Sequence, residues 1–179
     1  MVRAALMRLL RRRGEIITTR RAAGAIALAA AAGPLAVADA QRAGASRSLW
    51  ATVNVCDTAK QPDTIGIRAS MAGTPKGVRL SMRFRVQYQA AGGAWADVEN
   101  ADSGWQVLGT AKGTPADSGW SFSFTRPSTA VTLRGVVRFR WRKGDALPRT
   151  AEVVTEGGHR SSAGADPTSY SAANCELGN

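Results

Sequence analysis

The chain has 179 residues and a formal net charge of +11, which bounds it at one domain plus a processed segment. Residues 1–40 hold seven Lys/Arg and two Asp/Glu; Gln41 to Asn179 keeps 17 against 11, or +6, which attracts anions without being extreme. One histidine and two cysteines, with no CxxC spacing, exclude a cysteine–histidine metal cluster.

In chain order, residues 1–40 predict a signal peptide. A basic stretch, MVRAALMRLLRRRGEIITTRR, precedes an apolar helical run that ends in Ala38-Asp39-Ala40. Small residues there suit signal peptidase, so cleavage is expected after Ala40. The run is short, Ala-rich and broken by Gly33-Pro34, which disfavours a stable span. An uncleaved anchor is the alternative, and only that form would touch a membrane. Arg20-Arg21 admits a twin-arginine route but lacks the usual hydrophobic pair after it. Residues 41–49 predict a flexible leader.

Residues 50–156 predict a β-sandwich. Trp50–Cys56 and Thr64–Met71 alternate, the second with Ile65, Ile67, Ala69 and Met71 on one face. After the turn at Gly73–Gly77, Val78–Gln89 alternates through the most residues. Val78, Leu80, Met82, Phe84, Val86 and Tyr88 are expected inward, and Arg79, Ser81, Arg83, Arg85, Gln87 and Gln89 outward. Trp95–Glu99 and Trp105–Leu108 read as short strands and Gly109–Gly119 as a loop. Trp120–Thr125 is expected to turn Trp120, Phe122 and Phe124 inward. The repeated ADSGW at 101–105 and 116–120 reads as a loop-to-strand entry. Leu133–Arg142 places Leu133, Gly135, Val137, Phe139 and Trp141 inward. Arg134, Val136, Arg138, Arg140 and Arg142 point outward. Thr150–Glu156 returns as the last strand, and residues 157–179 form a polar tail. With no 3.6-residue periodicity and about seven to eight short strands, the pattern fits an antiparallel immunoglobulin-like sandwich.

Cys56 ends the first strand and Cys175 lies in the polar tail. Export permits a disulfide between them, which would tie the tail across the first strand. A redox or metal pair is the competing reading.

The outward arginines form two rows, Arg79, Arg83, Arg85 and Arg134, Arg138, Arg140, Arg142. If the two strands are neighbours, the rows merge into one basic field. Glu152 and Glu156, on alternate positions of the returning strand, are expected beside them. One reading is a solvated face of weak ion pairs whose arginine stems cover apolar surface. The other is a binding face for an anionic cell-envelope polymer or an acidic protein. Nucleic acid is disfavoured, because it usually asks for exposed aromatics among the basic residues, and Phe84, Phe139 and Trp141 are in phase with the core instead.

Catalytic, metal and cofactor sites are not expected. His159, with Ser161, Ser162 and Asp166 nearby, lies in a Gly/Ser-rich stretch that offers no rigid scaffold for a triad. A hydrolase using His159 ranks last. Asp97, Glu99 and Asp102 lack any sign of the burial a glycosidase acid needs. Asp57 and Asp63 flank a turn without calcium-loop spacing.

The segments LWATVNVCD, MRFRVQY and VVRFRWRKG, with the late Cys175, resemble small, uncharacterised exported single-domain proteins of GC-rich, actinobacterial-type bacteria. The resemblance covers roughly Trp50–Cys175. It implies an immunoglobulin or fibronectin type III-like sandwich and brings no activity with it. VVRFRWRKGDALPRTAEVV is similar to the last hairpin of the fibronectin fold, with Leu133 near where that fold usually has a tyrosine. The reading is therefore a secreted, non-enzymatic binding or adhesion module. Its alternative is a structural domain without a ligand.

Overall fold

The computed structural model of the protein describes residues 49–178, all-β and without helix among them. The expected signal peptide and most of the expected leader lie outside the described residues. Nine strands follow in order: β1 Trp50–Cys56, β2 Thr64–Met71, β3 Arg79–Gln89, β4 Trp95–Asp102, β5 Gln106–Thr110, β6 Ala116–Ser123, β7 Val131–Arg142, β8 Arg149–Val154 and β9 Asn174–Leu177.

They form two antiparallel sheets. The small sheet has the order β1-β2-β6. The large sheet runs β4-β3-β7-β8, with β5 continuing the β4 side of β3 and β9 continuing the β8 side of β7. Period-two alternation makes the sheets pack, since it gives each strand one apolar face that only a facing sheet can cover. The small sheet contributes Val53, Ile65, Ile67, Ala69, Met71 and Phe122. The large sheet contributes Leu80, Met82, Phe84, Val86, Val137, Phe139 and Trp141, all buried. Gly135 faces Ile67 of the small sheet at close range: a Cβ there would lie 2.7 Å from both Ile67 Cδ1 and Thr155 Cγ2.

The structure corrects several expectations. Tyr88, in phase with the core, is 38% exposed. It stands at an open apolar hollow of about 280 Å³ beside Val98, Phe124 and Leu177. Trp120, expected inward, is 40% exposed, because β6 is an edge strand paired only to β2. Val136, in phase with the arginines, is only 2% exposed; Arg85 and Val154 are its register partners, and long arginine stems can shield such a residue from water. The two ADSGW copies play different roles. The second lies wholly within β6, whereas the first spans the end of β4 and the connection to β5.

Residues 157–173 form a strap across β1. Val53 N donates to Ala172 O at 2.9 Å, and Ala172 N to Val53 O at 3.0 Å. Asp166 N donates to Asn54 O at 2.9 Å. The strap does not end as a loose tail: β9 adds to β7 with Leu133 opposite Cys175 and Val131 opposite Leu177, and Cys175 and Leu177 are buried. Cys56 and Cys175 form a disulfide, Cα–Cα 5.4 Å, across 119 residues of sequence. It joins the last residue of β1 in the small sheet to β9 in the large one, clasping the two sheets.

Candidate functional site

β3 and β7 are neighbours in register, Arg79 opposite Arg142, Ser81 opposite Arg140, Arg83 opposite Arg138, and Gln87 opposite Arg134. The seven arginines singled out by alternation therefore share the outer face of the large sheet. Like charges directly opposite are unfavourable, and the face resolves this differently along its length.

At its centre the charge is neutralised. Asp102 takes both Nε and Nη2 of Arg83, in a fork-on-carboxylate pair. Arg85 bridges Asp97 at 2.8 Å and Glu152 at 3.0 Å. Both aspartates reach this face because β4 bulges. Arg85 opposes Asp102 while Gln87 opposes Asp97, so four β4 residues face the single Val86, with Asn100 at a φ of 61°. In a regular strand, positions 97 and 102 would point to opposite faces. The hydrogen bond from Arg83 is the main cause holding the Asp102 carboxyl below its ordinary range. The Gly104 backbone N–H and the nearby positive charge of Arg83 and Arg85 add to it, and partial burial opposes it.

Two other arginines are held by aromatic rings. Arg134 lies 4.2 Å over the Trp95 ring and donates to Gln87 Oε1 from Nε at 2.9 Å and Nη2 at 2.8 Å. Arg140 lies 4.1 Å over Trp105. Phe84, Phe139 and Trp141 are buried as expected, yet the basic face does carry aromatics, Trp95 and Trp105. They come from the short flanking segments, and each is capped by an arginine.

The remaining three, Arg79, Arg138 and Arg142, form no ion pair with any described residue. Glu152 stands opposite Arg138 in register but bonds to Arg85. Glu156, also expected beside the arginines, lies beyond β8 and bonds His159 Nε2 at 3.1 Å. Arg79 and Arg142 line a recess of about 460 Å³ at the end of the sheet, together with Gly77, Thr110, Gly144 and Asp145. Lys76, Lys112 and Lys143 lie within three residues of the recess-lining positions.

The discounted candidates are placed as follows. His159 stacks on Trp50, ring centroids 4.3 Å apart and planes at 9°. Asp166 accepts from Thr58 Oγ1 at 2.6 Å. Asp57 accepts the Asp63 N–H at 2.8 Å, and both carboxylates pair with Arg126, at 3.1 and 3.0 Å. Among the described residues no group of three or more His, Cys, Asp or Glu is disposed to hold a metal ion. Compared with protein-family models, curated proteins and solved structures, the chain matches none.

Proposed function

We propose that the chain is an exported, non-enzymatic, immunoglobulin-like domain that binds an anionic cell-envelope polymer through one end of its large sheet. The strand order β1-β2-β6 against β4-β3-β7-β8 supports the immunoglobulin-like reading. The disulfide supports an oxidising compartment, reached by the signal segment expected at residues 1–40. The carrying observation is that Arg79 and Arg142, in register at the end of the sheet, and Arg138 further along it form no ion pair among the described residues, while Asp97, Asp102 and Glu152 of the same face are engaged by Arg83 and Arg85. A solvated face evolved only for stability has no use for Arg79 directly opposite Arg142.

A second reading, a purely structural domain, is favoured by the internal partners of Arg83, Arg85, Arg134 and Arg140. The two readings separate by mutation. R79Q/R138Q/R142Q removes no described contact and should fold as the parent does. It should elute from a polyanion column at markedly lower salt than the parent, as expected for screened charge–charge attraction. Equal elution of parent and triple variant supports the structural reading, and capture of an acidic protein with no retention on polyanions would move the partner class.

A further inference from the structure

We infer that the recess between Arg79 and Arg142 is a subsite for one phosphate group, so that the envelope polymer it takes is a phosphodiester chain. This rests on the binding reading above and narrows it.

The recess is made where three strand ends meet. Arg79 opens β3, Thr110 closes β5 and Arg142 closes β7, with Arg79 in register with both of the others. The turns on either side pass through Gly77 and Gly144, both at positive φ, 88° and 52°. A Cβ at either position would meet nothing within 4 Å, so the mouth stays wide. Arg79, Arg142 and Thr110 thus line one hollow of about 460 Å³.

Geometry selects the ligand class. A carboxylate holds its lone pairs in one plane, so one arginine fork takes up its two-oxygen edge, as Arg83 does with Asp102, and further donors must approach within that plane. A phosphodiester has two unesterified oxygens whose acceptor directions spread around each P–O bond instead of lying in one plane, so two neighbouring forks can share them. Two arginines side by side in register, neither ion-paired among the described residues, therefore suit a shared phosphate better than a carboxylate. Asp145 lines the recess without pairing to either arginine, which leaves two positive charges against one negative. Nucleic acid is disfavoured as the source of the phosphate. The neighbouring aromatic, Trp105, is covered by Arg140, which leaves no free ring face on that side to stack a base.

The test uses the full, disulfide-intact chain. Binding of poly(glycerol phosphate), polyglutamate and a single-stranded oligonucleotide of equal charge is measured at fixed ionic strength. Poly(glycerol phosphate) should bind tightest. R79Q and R142Q should each weaken it about tenfold, the equivalent of one charge-assisted hydrogen bond. D145N should tighten it, and R138Q should cost less than either recess variant. Polyglutamate binding equal to the phosphate polymer, with R138Q as harmful as R142Q, overturns the subsite while leaving the basic-face reading standing. An oligonucleotide binding as tightly as the phosphate polymer also overturns it. Binding of no polymer removes both readings.

Discussion

Asp102 shows how one carboxylate organises the centre of the basic face. It accepts the Arg83 fork and, through Oδ1, the Gly104 N–H at 2.9 Å, fixing the start of the connection to β5. Asp102→Asn should cost about 1 kcal/mol, the upper end for a partly exposed pair, measured by urea unfolding at pH 7. The sign of its pH dependence follows from the lowered pKa. A carboxyl easier to ionise in the fold than in the unfolded chain stabilises above its unfolded value of about 3.9. That contribution is lost as pH falls through the lower, folded value. The gap between parent and D102N should therefore be constant above pH 5 and close progressively in stronger acid. The arginines of this pair were legible from alternation, but Asp102 was not. Its odd separation from Asp97 hides a shared face, and only the bulge at Asn100 brings them together.

Among the elements, β3 and β7 were the most legible, since alternation over Val78–Gln89 and Leu133–Arg142 leaves little freedom of register. β1 and β2 were equally clear, each with its inward face buried. β6 was not: Asp117 to Gly119 carry loop-forming residues, and only pairing to β2, with Asp117 opposite Ser70 and Gly119 opposite Arg68, makes them a strand. Tertiary pairing overrides local propensity most easily at such an edge. The sheet contact at Gly135 gives a sharp test. Gly135→Ala should destabilise by about 1–3 kcal/mol through overpacking, because its methyl would lie 2.7 Å from atoms of both Ile67 and Thr155. Guanidinium melts would read this, and an unchanged midpoint would show that the two sheets can separate at no cost.

At the scale of the whole molecule, the disulfide and strap close the sandwich. In the loop-entropy picture a 119-residue closure contributes about 5 kcal/mol, less any strain. Cys56→Ala/Cys175→Ala should lose a large part of this in denaturant unfolding. It should also speed hydrogen exchange at the Val53 and Ala172 amides, which pair β1 with the strap. The pairing was legible because two cysteines in a chain expected to be exported leave one intramolecular bond. The conversion of the tail's end into β9 was not, since Asn174–Leu177 is too short to show a period. Likewise the seven arginines were readable as a face, but their division into ion-paired (Arg83, Arg85), ring-stacked (Arg134, Arg140) and ion-pair-free (Arg79, Arg138, Arg142) members was not. That division depends on which acids the neighbouring strands deliver.

The most direct measurement is a two-dimensional NMR titration of the labelled chain with poly(glycerol phosphate). The binding account predicts salt-sensitive shifts confined to Arg79, Thr110, Arg138, Arg142 and the Trp105 indole, with Arg83 and Arg85 unmoved. Shifts absent from that end, or centred on the Arg83–Asp102 pair, would contradict it.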